Sequence, residues 1–138
     1  MKIRASVANS FGKHEVSVET NGTRQSVSIA PKASGFGSSV NGGELLFLAL
    51  ATCYANDIYR EAAKRGIAVE RVEVTVEGDF GAEGEPAQNI AYHVKISAKA
   101  SESEIESLIR DTDRVAEIQN TLRTAAPVVL TRLEAVEV

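Results

Sequence analysis

Apolar and polar residues alternate from Ile3 to Val7, the signature of a half-buried strand. His14 to Thr20 and Thr23 to Ala30 repeat that period of two on either side of Asn21-Gly22, a dipeptide suited to a two-residue hairpin turn. If the turn closes, Val16 faces Val27 and Glu19 faces Arg24, and an opposite-charge pair across strands contributes ~0.2–1 kcal/mol. The period changes after the glycine-rich stretch Gly35 to Gly43. From Leu45 to Ala55 nearly every position is apolar, so a helix here must be buried on nearly every side. The expected helix runs from Glu44 to Arg65. Gly66 follows as its C′ residue, Lys64 and Arg65 stand in the last turn, and the half beginning at Asp57 is amphipathic.

Two further alternating segments follow. Val72, Val74 and Val76 mark one strand; Ile90, Tyr92, Val94 and Ile96 mark another. Gly78 to Asn89, with three glycines and Pro86, reads as a long hairpin loop between them. Ser101 with Glu104 three residues on is a capping box. Ile105, Leu108, Ile109, Val115, Ile118 and Leu122 then recur at helical spacing, with a break expected near Thr112 or Asp113. Pro127 ends the helix, and Val128 to Val138 reads as a closing strand. No domain boundary is marked, so residues 1–138 read as a single domain. The order of elements predicts an α+β fold, with antiparallel sheets packed around a long buried central helix. An amphipathic sheet covers only one side of the Leu45–Ala55 helix, and the second helix is too polar to cover the rest. A second copy of the chain would do so, which predicts an intimate homodimer.

Composition narrows the function classes. The 138 residues are 43% hydrophobic and 25% charged, those of an ordinary globule, and at this length roughly 68% of the unfolded surface can be buried. Net charge is −4, from 15 basic and 19 acidic residues without a Lys/Arg cluster, which argues against a nucleic-acid or membrane-surface partner. The N-terminus lacks the apolar core of a secretory signal, and the central apolar run is far short of the ~20 residues of a membrane span. A single cysteine cannot close an intramolecular disulfide. The reading is a cytoplasmic protein.

Candidate chemistry centres on that cysteine, Cys53. Thiolate is the reactive form, and an unperturbed thiol has a pKa of ~8.5. Cys53 lies beyond the first helical turn, where the dipole acts strongly, and its i+4 neighbour Asp57 opposes ionisation. Cys53 is therefore either an inert core filler or a pocket thiol activated by a cation from another segment or subunit. Glu44 falls on the opposite side of an ideal helix from Cys53 and suits a dipole-complementing carboxylate. Gly42-Gly43 leaves bare N–H groups at the helix start, a weak anion or oxygen-ligand signal; it is no P-loop, since no Lys-Ser/Thr follows. His93 sits on the polar side of its strand, and His14 lacks partners at ligand spacing. No metal and no cofactor are expected.

Strands, a glycine-rich turn, then Glu44-Leu-Leu-Phe-Leu-Ala-Leu-Ala-Thr-Cys53-Tyr opening a long helix resemble the OsmC/Ohr family, as does the continuation from Arg65 to Gly78. The resemblance runs over nearly the whole chain. It implies an intertwined α+β homodimer with sites at the subunit interface, and reduction of organic hydroperoxides by a peroxidatic thiolate helped by an arginine, a glutamate and a resolving cysteine. Cys53 matches the peroxidatic position. Ala116 takes the resolving cysteine's place, so this chain looks like a branch lacking the second cysteine. Gly43 takes the place of the usual glutamate, with Glu44 one position off. Lys13 stands where the arginine is expected, with Arg24 and Lys32 as other candidates, and a lysine lacks arginine's planar fork.

Two readings follow. In the first, Cys53 is the nucleophile, Lys13 the activating cation and Glu44 the orienting carboxylate. Gly42, Gly43, Leu46 and Tyr54 line the pocket, and an external thiol reduces the sulfenate. In the second, the family dimer has lost catalysis and binds an apolar small molecule.

Overall fold

Asn21 and Gly22 both adopt positive φ, 49° and 84°, which is what a tight hairpin turn of this hand requires. The turn joins β2 (Lys13–Thr20) to β3 (Thr23–Ser26), and β1 (Ile3–Ser10) flanks β2 on its other side in an antiparallel sheet of order β1-β2-β3. The expected register holds: Glu19 pairs with Arg24 and Thr20 with Thr23. Beyond Ser26 one more bond continues the ladder, from the Val27 N–H to the Val16 carbonyl at 3.2 Å, but the strand does not reach Ala30. β1 runs past Val7 to Ser10 because a second two-residue turn, with Gly12 at φ 66°, brings Ser10 opposite Lys13.

The structure, a computed structural model, describes residues 1–138 and divides into two compact units, Met1–Leu46 and Phe47–Val138. The sheet belongs to the first. Its apolar face is not enclosed: Ile3, Val7 and Val27 are all exposed.

α1 (Gly42–Lys64) starts at Asn41 and stops where Gly66 takes φ 66°. The Ile67 N–H donates to the Ala62 carbonyl at 3.0 Å and the Gly66 N–H to the Ala63 carbonyl at 3.2 Å, a Schellman ending. β4 (Ala68–Asp79) and β5 (Gln88–Lys99) then form an antiparallel pair, with Val72 opposite Ile96, Val74 opposite Val94 and Val76 opposite Tyr92. Their apolar face covers the buried stripe Tyr54, Ile58 and Ala62 of α1, joined by Leu108 and Ala116. The hairpin loop is shorter than expected, because the strands continue to Asp79 and resume at Gln88 around a register shift at Gly78.

α2 (Glu102–Val115) opens on the expected capping box of Ser101 and Glu104. The helix does not break at Thr112 or Asp113. Thr112 is fully buried, and its hydroxyl donates to the Leu108 carbonyl at 2.7 Å inside an intact helix. The break comes at Ala116, with ψ 105°, and α3 (Glu117–Arg123) begins there. The Asn120 amide donates to the Arg114 carbonyl at 3.0 Å, satisfying an acceptor that the break frees.

Val128 to Val138 is not a strand. Its apolar side chains, including Val128, Leu130 and Leu133, stand in solvent. Alternation defines which face such a segment would bury, but a strand also needs an edge to pair with, and this segment pairs with none. Within the single chain α1 buries one side and leaves another open: Leu50 is 3% exposed and Leu48 58%. No helix is long and apolar enough to cross a membrane.

One polar lock ties β5 to both later helices. The Tyr92 hydroxyl donates to Asp113 Oδ1, and Arg123 Nη2 donates to the same oxygen at 2.6 Å. Burial acts to raise the Asp113 carboxyl, but these donors outweigh it and hold it below the ordinary aspartate value. A lowered carboxyl stabilises the fold above the unfolded-state value of ~3.9, and that contribution disappears as pH falls through the folded one. Asp113→Asn should therefore unfold at lower urea than the parent at pH 7. Denaturation repeated at decreasing pH should bring the two midpoints together only once pH passes below the folded-state Asp113 value, which lies under the ordinary aspartate one of ~3.9.

Gly78 supplies a second expectation. A Cβ there would meet the Phe47 ring at 2.8 Å, the Gln88 carbonyl at 3.2 Å and Ile90 Cα at 3.3 Å. The ring can move but the backbone of β5 cannot, so Gly78→Ala should cost about 1–3 kcal/mol in chemical denaturation.

Candidate functional site

Helical spacing puts Cys53, Asp57 and Arg60 on one face of α1, and the break at Ala116 brings Glu117, the first residue of α3, against them. Cys53 Sγ lies 3.6 Å from Asp57 Oδ2 and 3.9 Å from Glu117 Oε2. Arg60 Nη1 closes the other side, 2.9 Å from Asp57 Oδ1 and 3.3 Å from Glu117 Oε1. Each carboxylate thus turns one oxygen to the thiol and the other to the guanidinium. Arg60 Nε is engaged in turn by Glu61 at 3.0 Å.

Burial is the main influence on the half-buried thiol and pushes it up. The Ile118 backbone N–H pulls the other way, and Asp57 and Glu117 add to the rise. The net result is a thiol above its ordinary value, held protonated at neutral pH. Asp57 is also raised, by burial first and then by its hydrogen bond with Glu117, with Arg60 opposing. Glu117 is lowered, chiefly by its own backbone N–H. This arrangement can keep sulfur as a thiol, accept its proton on a basic carboxylate, and balance the charge with a fixed guanidinium.

The three ligand atoms of Cys53, Asp57 and Glu117 lie within 4.8 Å of one another, close enough for a three-donor metal set. Arg60 already supplies counter-charge to both carboxylates.

The residues singled out from sequence lie as follows. Lys13 pairs with Glu15 at 3.3 Å, both well exposed. Glu44 closes a reciprocal cap with Asn41: the Asn41 N–H donates to Glu44 Oε2 at 2.8 Å and the Glu44 N–H to Asn41 Oδ1 at 2.9 Å. Gly42 is exposed; Gly43 and Leu46 are half-buried. Tyr54 is a core side chain, its hydroxyl donating to the Ile109 carbonyl at 2.7 Å. His93 is exposed, and His14 Nδ1 lies 3.0 Å from the Asn9 amide nitrogen. Of the expected set, only Cys53 stands in the thiol–carboxylate–guanidinium cluster.

Arg60 and Glu117 escaped the sequence reading. Arg60 was legible at i+7 from Cys53 on the same helix face, whereas no spacing rule links Cys53 to a glutamate 64 residues away. Also in this unit is a largely apolar cavity of about 220 Å³ lined by Leu50, Ile90, Tyr92, Gln119, Leu122 and Arg123. Gln119 Nε2 donates to the Leu50 carbonyl at 3.0 Å, which leaves its buried Oε1 without a partner.

Among known proteins, the family model described as OsmC-like protein matches residues 35–131. Solved structures with the same fold include the following three. An OsmC-like protein from Mycoplasma pneumoniae is 22% identical, with 88% of this chain and 86% of that chain covered and a TM-score of 0.60. An organic hydroperoxide resistance protein OsmC from Legionella pneumophila, described also as a predicted redox protein, is 22% identical, with 89% and 90% covered and a TM-score of 0.58. An OsmC-like protein of unknown function from Vibrio cholerae is 16% identical, with 88% and 93% covered and a TM-score of 0.57. No curated protein matches the chain. The α+β architecture and antiparallel sheets agree with these structures.

The raised thiol gives a direct test of the cluster. Asp57→Asn and Glu117→Gln each remove a negative neighbour, so the pH midpoint of Cys53 alkylation by iodoacetamide should fall in both variants. Arg60→Gln removes the compensating cation and should move it up.

Proposed function

We infer a role for Cys53 from the premise that the chain belongs to the OsmC-like protein family. The proposed activity is thiol-dependent reduction of an organic hydroperoxide by a single cysteine, with an external thiol as reductant. The observation that supports it most is the Cys53 thiol in hydrogen-bonding reach of Asp57, with Arg60 on that carboxylate's other oxygen. The Legionella protein's description as an organic hydroperoxide resistance protein points the same way.

The chemistry balances within this site. The sulfur of Cys53 attacks the terminal oxygen of ROOH, the O–O bond breaks, and both its electrons leave on RO. The thiol proton passes to Asp57 as attack proceeds and then to the departing oxygen, giving ROH and a sulfenic acid. With no second cysteine in the chain, an external thiol condenses with the sulfenic acid and releases water. A second external thiol then displaces its disulfide and restores Cys53. Burial and two carboxylates hold the sulfur protonated, so attack depends on Asp57 taking the thiol proton.

The proposal includes a homodimer. A second copy would cover Leu48 and the apolar side chains of Val128 to Val138, which one chain leaves in water. Sedimentation equilibrium should give twice the chain mass; a stable monomer would remove this part.

A competing reading, a non-catalytic protein that binds an apolar small molecule, draws support from the raised thiol and from the largely apolar cavity between Leu50 and Leu122. Mass spectrometry of Cys53 after one equivalent of cumene hydroperoxide, with dimedone to trap sulfenate and hydrogen peroxide in parallel, separates the two. The catalytic reading expects a Cys53 adduct that forms faster with the organic peroxide and vanishes in Cys53→Ser. An unmodified thiol, with a melting temperature that rises on adding apolar ligands, would replace it with the second reading.

A further inference from the structure

The sheet of the Met1–Leu46 unit carries charged groups that find no ionic partner. Register sets Arg4 of β1 opposite Glu19 of β2, and Glu19 opposite Arg24 of β3, a cation–anion–cation row across three strands. Neighbouring strands lie only ~4.8 Å apart, so these long side chains have the reach to close two ion pairs. They do not close them: the chain's ion pairs leave out Arg4, Glu19 and Arg24. The three side chains stand instead around a polar cavity of about 270 Å³, completed by Ser6 and Ser17. Ser17 is 9% exposed, and its Oγ lies 2.8 Å from Ser6 Oγ. A hydroxyl pair uses one proton internally and leaves the other free to donate outward.

Opposite charges left unpaired around a polar space define what would fill it. Two guanidiniums offer planar forks that match carboxylates. The carboxylate between them repels a bare oxyanion and favours a cationic donor. The space is smaller than the ~300–1,000 Å³ clefts of drug-sized ligands, so the ligand is a small one. We propose that this cavity binds an amino dicarboxylate of the glutamate class, its two carboxylates on Arg4 and Arg24, its ammonium on Glu19, and the free Ser6–Ser17 proton on one carboxylate oxygen. The site is independent of the chemistry assigned to Cys53.

Titration calorimetry of the full chain at low ionic strength tests it, with L-glutamate as ligand and glutarate, which lacks the ammonium, and inorganic phosphate for comparison. Saturable glutamate binding is expected, weakened at least about tenfold in Arg4→Gln and in Arg24→Gln. Glu19→Gln should weaken glutamate while tightening glutarate, opposite effects that a loss of folding would not produce. Circular dichroism verifies that each variant folds. No saturable heat with glutamate up to about 10 mM, or an affinity indifferent to both arginines, overturns the proposal. Phosphate binding tighter than glutamate overturns it as well, since the cavity would then be a plain oxyanion surface.

Discussion

The contact between the Tyr54–Ile58–Ala62 stripe of α1 and the valine face of β4–β5 orders everything in the Phe47–Val138 unit. It fixes the rotation of α1, and rotation decides which residues of that helix meet α3. Cys53 precedes Tyr54, so burying the tyrosine leaves the thiol at the border of the core rather than within it. Ala116, fully buried in the same cluster, is where the second helix turns, and the turn delivers Glu117 to the sulfur. Packing and chemistry are thus two results of one helix orientation.

The electrostatics of the cluster follow from that position. A thiol in water beside a cation would ionise readily, but here sulfur meets two carboxylate oxygens while the guanidinium meets the other two. Arg60 makes the acidic pair tolerable without neutralising it on the sulfur side. The Ile118 N–H favours thiolate, and it is outweighed. Such a site is restrained by default and depends on proton transfer to act.

Local chemistry made much of the fold legible. Asn21-Gly22 dictated a turn and its register, Gly66 a helix end, and Ser101 with Glu104 a helix start, because each signal acts within four residues. The break at Ala116 was not legible, since neither glycine nor proline marks it. Thr112 looked like a weak point but bonds back to its own helix. The segment after Pro127 read as a strand from alternation alone, a pattern silent about pairing partners. At the site, Cys53 and Asp57 could be placed together from helical spacing, and Arg60 lay within the same rule. Glu117 could not, because its approach depends on tertiary packing. Glu44 and Lys13 found partners within three residues, Asn41 and Glu15, which is the commoner fate of charges near turns.

The cap at the head of α1 carries a warning for mutational scanning. Glu44 accepts the Asn41 N–H while Asn41 accepts that of Glu44, so the two side chains lock one another in place. Replacing either frays the first turn and blurs the position of the glycine-rich segment before it. A defect seen after changing Glu44 would then register lost helix initiation as readily as a missing carboxylate in chemistry. Only swapping the cap for another that seals the turn without a glutamate would tell those two origins apart.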